Sequence, residues 1–344
     1  MDGSSLGVDG LEAVLVRGGE RLRSLMERAE LHLERVTAEA GAPLAAYANA
    51  TIVAGGKRLR PLLVVLAAES AGGTADSSED EQRLVRAAVA VELVHNATLV
   101  HDDLIDGAQL RRGRPTVAAS AGREVAVATG DLLFSRAFAE LARNEDAAQL
   151  TALSEASSAL AAGELLQRED AYATRVALER YLRRCELKTA ALFEAACRLG
   201  ALAADGGSRT LADALGAFAR RIGLAFQMLD DVLDVSGPVE RTGKARGTDL
   251  LDGTVTLPFI LAREHEPELA AFDLASLGGP EDPDGPRQAE ALCERIAATG
   301  ALEQAREHAL AVVAEAKGAL PAILPDGRSE LLELVADAVV ERYS

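Results

Sequence analysis

Two acidic clusters of one pattern, DDxxD, end long apolar runs: Asp102, Asp103 and Asp106 in the first, Asp230, Asp231 and Asp234 in the second. Positions i and i+4 share a helix face, so Asp102 stacks under Asp106 and Asp230 under Asp234. Like charges so placed destabilise a bare helix. Leu99, Val100, Leu104 and Ile105 flank the first cluster, and Phe226, Leu229, Val232 and Leu233 the second. Carboxylates in such surroundings take up protons unless they are paired or metal-bound. A chain that builds this arrangement twice has a cation to hold. Hard oxygen ligands, with no His or Cys inside either motif, point to Mg2+, which binds through a few carboxylates together with substrate phosphates.

The apolar runs are helical in period. The 344 residues are 49% hydrophobic, mainly Ala, Leu and Val, with 3% aromatic residues and no Trp. Stretches with the i, i+3, i+4, i+7 stripe recur, whereas two-residue alternation does not. An all-α fold with a sizeable core is expected, with one domain spanning 1–344. The formal net charge of -18 disfavours a nucleic-acid partner and requires that any anionic substrate be drawn in by a local basic patch. Cys185, Cys197 and Cys293 form neither a disulfide framework nor a zinc spacing. The polar start MDGSSLGVDG does not read as a signal peptide, and no apolar run approaches the ~18 residues that span a bilayer. A cytoplasmic protein without a membrane anchor is expected.

Periodicity predicts helices over 9–41, 81–106, 121–142, 146–170, 176–202, 209–235 and 287–342. The polar or Gly-rich stretches 71–80, 107–116, 236–254 and 278–286 read as connections, the third as a mobile loop.

Several basic and polar positions carry chemistry beside the aspartates. In GGKRLRP (55–61), Gly55 and Gly56 let the backbone bend, and Lys57, Arg58 and Arg60 lie at the start of a helix that Pro61 helps open, a ready anion site. Five residues past Asp106 begins Arg111-Arg112-Gly113-Arg114, whose guanidiniums grip phosphate in bidentate fashion. His95 lies on the stripe that leads to Asp102 and is assigned a substrate hydrogen bond, while His101 is read as structural. Lys188, beside Thr189, sits in an apolar run and needs an anionic partner. Gln227 shares a face with Asp230. Lys244 lies in the Gly-rich loop, as a residue that closes over a phosphate would.

VHDDLIDGAQLRRGRPT, GGKRLRP, ELKTAALF, FQMLDDVLD and GKARGTDL together resemble, in order and spacing, the trans-isoprenyl diphosphate synthase (polyprenyl synthetase) family, over roughly residues 40–260. The resemblance implies a single large bundle of antiparallel helices around a central cavity, with the aspartate clusters facing each other across its mouth. By the same resemblance, the six aspartates would hold Mg2+ on an allylic diphosphate, which Arg111, Lys188, Thr189, Gln227 and Lys244 would also contact. Lys57, Arg60, His95 and Arg112 would bind isopentenyl diphosphate, and the chain would form a homodimer. One position departs: Thr254 stands where the family usually carries a second lysine.

Product length has a physical handle. If the diphosphate is anchored at Asp102, the growing chain runs back along the same helix, past Ala97 and Thr98. Both are small, where short-product relatives typically carry an aromatic residue, so a product of geranylgeranyl length or longer is expected. A class I terpene cyclase and a subunit of a heteromeric prenyl synthase are the alternatives. The all-aspartate second motif argues against the first, and the retained aspartates and arginines against the second.

Overall fold

The computed structural model describes residues 6–39, 41–72, 77–204, 208–237, 246–278, 282–324 and 327–341. Among the described residues the fold is all-α, as the periodicity predicts, apart from one two-stranded hairpin. Helix α4 (Ser78–Ile105) is the axis. Every residue from Leu84 to Val94 is buried, so it has no solvent face, and α1 (Leu6–Ala38), α3 (Leu59–Ser70), α6 (Arg123–Ala142) and α9 (Ala191–Ala203) pack around it. Ser77 starts it: its hydroxyl accepts from the Asp80 amide, and Glu79, Asp80 and Glu81 occupy the first turn, where acidic charge suits the helix dipole.

Small residues bring helices close. A Cβ on Gly200 would lie 2.0 Å from the Val64 carbonyl oxygen, so α9 presses on α3 only because that position is glycine. Helix α10 (Arg209–Ser236), capped by Ser208, lies against α9 and against α14 (Ala301–Ile323). Helices α2 (Leu44–Val53), α5 (Val117–Ala121), α7 (Ala147–Glu169), α8 (Leu178–Cys185), α11 (Thr248–Leu251), α12 (Leu257–His265), α13 (Gly285–Ala298) and α15 (Glu330–Glu341) complete the bundle. The last of these packs along α1.

Several stretches differ from their sequence reading, among them α2 and α12, which periodicity did not single out, and α11, which lies in a stretch read as a connection. Gly19, with φ 75°, breaks α1 in two. The connection 107–116 is a hairpin, β1 (Leu110–Arg111) and β2 (Arg114–Pro115). Its turn residues Arg112 (φ 52°) and Gly113 (φ 74°) both adopt positive φ, which suits the twist of a two-residue hairpin. The helix expected over 176–202 is not uniform: between α8 and α9 the chain makes a π-helical turn, Glu186–Ala190. Much of the loop 236–254, Lys244 included, lies outside the described residues.

Candidate active site

Both acidic clusters sit where the central helices end. Helix α4 closes at Asp106, whose amide donates to the Asp102 carbonyl at 2.8 Å. The hairpin then folds back and delivers Arg111 Nε to Asp103 Oδ1 at 2.7 Å. Asp106 pairs with Arg168, at the end of α7. One turn earlier on α7, Glu164 pairs with Lys188 at 2.5 Å, and Gln167 accepts a hydrogen bond from Lys188 Nζ at 3.1 Å. Glu164 and Arg168 also pair with each other at 3.2 Å. The anionic partner that Lys188 requires is therefore Glu164, which the sequence did not single out. Burial pushes Asp102 up to about 6, with Lys188 opposing and Glu164 and Asp106 adding to the shift.

The second cluster is held from the other side of the same turn. Tyr181, fully buried, donates to Asp231 Oδ2 at 2.6 Å. Gln227 Nε2 donates to the other oxygen at 2.8 Å, and Thr189 Oγ1 donates to Gln227 Oε1 at 2.6 Å. Gln227 thus serves Asp231, four residues on, rather than Asp230 as its face suggested. The Asp249 amide donates to Asp234 Oδ2 at 3.2 Å. Burial and then the Asp249 charge raise Asp231 to about 7, against the hydrogen bonds from Tyr181 and Gln227.

Two cavities result. A smaller one, about 160 Å³, lies between the clusters and is lined by Asp106, Asp231, Lys188, Thr189, Gln227, Gln167, Arg184, Asp249 and Thr254. A larger one, about 490 Å³, is lined by Lys57, Arg60, His95, Arg111, Arg112 and Asp230, with Leu99, Phe193 and Phe226 among its apolar walls. Arg58 lines it too, but Glu30 holds its guanidinium at 2.7 Å and Glu92 holds it at 2.8 Å. Arg60 is different. Its Nε is buried with no hydrogen-bond partner among the described residues, and its guanidinium lies 5.0 Å from the Phe193 ring centre. Burial lowers its pKa to about 10, with Glu92 opposing. Burial, followed by Arg60, Arg112, Arg111 and Arg58, holds His95 well below the usual histidine range, so its imidazole is neutral. Cations gathered this way, one of them undersatisfied, suit a multiply charged anion.

Ala97 is fully buried, and the half-buried Thr98 turns its hydroxyl onto the His95 carbonyl at 2.7 Å. Neither lines either of these two cavities.

Among the described residues, no three His, Cys, Asp or Glu side chains are gathered closely enough to hold a metal by themselves. The donor chemistry nevertheless fits Mg2+. The six aspartates offer oxygen only, and two of them are pushed by burial towards protonation that a cation would relieve. Such an ion typically takes only one or two protein carboxylates and completes its shell with water and phosphate.

Sequence reasoning missed Glu164, Gln167, Arg168, Tyr181, Arg184 and Asp249. The Glu164–Arg168 spacing was visible but reads as an ordinary i, i+4 surface pair. Tyr181 carried no such signal: it stands among the charged residues Glu179, Arg180, Arg183 and Arg184, and only the fold shows that its hydroxyl is buried and needs a partner.

Comparison with known proteins follows the same lines. The profile of the polyprenyl synthetase family matches residues 42–294. The chain is 41% identical over 253 residues to heptaprenyl diphosphate synthase component 2 of Geobacillus stearothermophilus, covering 74% of this chain and 76% of the relative. It is 36% identical over 294 residues to the geranylgeranyl diphosphate synthase of Methanosarcina mazei, covering 84% and 86%. The crystal structure of a polyprenyl synthase from Caulobacter crescentus CB15, complexed with calcium and isoprenyl diphosphate, superposes with a TM-score of 0.83 at 36% identity, over 94% of this chain and 98% of that one.

Proposed function

This chain belongs to the polyprenyl synthetase family, and from that membership we propose that it is a trans-prenyltransferase joining isopentenyl diphosphate head-to-tail to an allylic diphosphate. The product is an all-trans prenyl diphosphate of geranylgeranyl length or longer. One observation carries the reading: a cavity between two aspartate clusters adjoins a second cavity in which Arg60 has an unmatched donor. Two anions of different kind have separate places. A terpene cyclase, which takes one diphosphate, has no use for the second.

The assignments follow. Asp102, Asp103, Asp106, Asp230, Asp231 and Asp234 hold Mg2+ jointly with the allylic diphosphate. The bound Mg2+ supplies Lewis-acid charge that makes diphosphate a better leaving group. Lys188, Thr189 and Gln227 hold that diphosphate in place, and Arg111 reaches it from Asp103. Lys244, outside the described residues, keeps the same assignment from sequence alone. Lys57, Arg60, His95 and Arg112 fix isopentenyl diphosphate so that its double bond lies near the carbon that loses diphosphate. Neutral His95 donates a hydrogen bond without adding charge. Leu99, Phe193 and Phe226 keep water from the allylic cation. The proton lost after bond formation goes to the departing diphosphate, whose oxygens lie beside the carbon that gives it up. Thr98 and Ala97, behind Asp102 on α4, set product length. A homodimer, working without a membrane anchor in the cytoplasm, is the proposed state. Among the described residues no helix is long and apolar enough to cross a membrane.

The test incubates the purified chain with Mg2+, labelled isopentenyl diphosphate and a panel of allylic diphosphates, then sizes the dephosphorylated products. Absence of any elongated product with every primer overturns the proposal.

A further inference from the structure

Arg184 is the least expected residue in the cavity between the clusters. It is 4% exposed, on the last turn of α8, immediately before the π-helical turn that carries Lys188 and Thr189. A guanidinium is rarely buried unless every donor is matched. Here one nitrogen donates to the Val255 carbonyl at 2.5 Å, and the plane lies 5.4 Å from the Tyr181 ring centre. Its Nη1, however, is buried with no partner among the described residues. The same cavity wall carries Asp231 and Thr254. Thr254 directly precedes the Val255 that Arg184 holds, and it occupies the position where the resemblance leads one to expect a lysine.

We infer that Arg184 is an anion-binding residue of this cavity: its unpartnered Nη1 donates to a diphosphate oxygen, supplying from α8 the positive charge that Thr254 does not supply. The inference rests on the reading that this cavity takes the allylic diphosphate. Three features support it. The charge is fixed, because a guanidinium stays protonated even when buried. Its position is fixed, because Val255 and Tyr181 grip the rest of the group. Its place is apt, because Arg184 lines a cavity of about 160 Å³ together with Lys188, Thr189 and Gln227. The rival reading makes Arg184 only a bracket for the segment 254–256.

Four variants separate the two: Arg184→Met, Arg184→Lys, Arg184→Gln and the double variant Arg184→Met with Thr254→Lys. Calorimetry with inorganic diphosphate and Mg2+ measures the site directly, alongside KM for the allylic substrate and for isopentenyl diphosphate. Arg184→Met should weaken inorganic diphosphate roughly ten- to hundredfold, the worth of one charged hydrogen bond. KM for the allylic substrate should rise with it, and KM for isopentenyl diphosphate should not. Thr254→Lys in the methionine background should restore most of the affinity, which a bracket role cannot explain. Should Arg184→Met fail to fold, Arg184→Gln still offers Val255 a donor and lacks the charge, so it must bind diphosphate more weakly than Arg184→Lys. Wild-type affinity in Arg184→Met, no rescue by Thr254→Lys, or equal affinity in the Gln and Lys variants overturns the inference. If those results come from a wild-type chain that elongates its primer normally, the proposed function stands while the role of Arg184 falls. A wild-type chain that neither elongates nor binds diphosphate overturns both.

Discussion

Gly163 brings α7 so near the π-helical turn that a Cβ at this position would lie 2.6 Å from the backbone nitrogen of Lys188. The obstructing atoms are backbone and the Leu187 Cβ, which cannot swing aside. Gly163→Ala must therefore move the turn or push α7 back, and α7 carries Glu164, Gln167 and Arg168. Helix propensity alone favours alanine by ~1 kcal/mol, so a measured loss of stability isolates the clash. We expect a net loss of about 1–3 kcal/mol in denaturant unfolding, together with a fall in kcat. A variant as stable and as active as wild type would show that the approach is looser than described.

Arg60 sits in the larger cavity with an unmatched donor and a pKa lowered to about 10 by burial. A cation whose folded pKa is depressed costs stability at neutral pH, because the unfolded chain holds the proton more readily. Arg60→Met removes that cost and keeps a soft contact with Phe193. The melting temperature should stay level or rise, while KM for isopentenyl diphosphate rises at least about tenfold. Thermal unfolding and steady-state kinetics on one preparation check both. A lower melting temperature with unchanged KM would make Arg60 a structural residue.

Burial raises Asp102 to about 6 and Asp231 to about 7. Both are raised, so between their ordinary range and these values the folded chain binds more protons than the unfolded chain, and stability falls as pH rises through that window. Mg2+ together with diphosphate requires the carboxylates ionised. Its affinity should be full above about pH 7 and fall by up to about tenfold per pH unit per proton below it. Calorimetry at pH 6 and pH 8, in two buffers of different ionisation enthalpy, reads the affinity and the protons released. Equal affinities with no proton release would place these groups outside the binding event.

Most of the helix framework and many of the residues that line the two cavities were legible in the sequence, for one physical reason: both are written at short range. Asp102 to Asp106, Lys57 to Arg60 and Lys188 with Thr189 are patterns within one or two turns, and burial of α4 shows as an apolar run interrupted only by Arg86 and Glu92 between Leu84 and Val94. What was not legible depends on contacts distant in the chain. Tyr181 meets Asp231 across 50 positions and Arg168 meets Asp106 across 62. Glu164 and Arg168 look like a solvated pair until the fold brings Lys188 and Asp106 to them. The π-helical turn left no mark in periodicity, because a single surplus residue between the charged α8 and the apolar α9 shifts the pattern too little to see.

Thr98 and Ala97 separate in the structure, although the sequence treats them alike. Thr98 is half-buried with its hydroxyl tied to its own helix, whereas Ala97 has no exposure. Thr98→Phe should shorten the product by one or more isoprene units with little loss of stability. Ala97→Phe should shorten it as well, but overpacking should cost about 1–3 kcal/mol. Chromatographic sizing of products and a denaturation curve test each variant. An unchanged product distribution in both would place the floor of the channel elsewhere.

Lys188 and Thr189 are adjacent in the chain, yet the π-helical turn sends one to Glu164 beside the first aspartate cluster and the other to Gln227 beside the second. The two halves of the cavity are geared through a single peptide link. A displacement that loosens one grip must slacken the other, so substitutions on opposite sides should combine with less damage than their separate effects multiply to. Evolution can retune this centre only by moving both hands together.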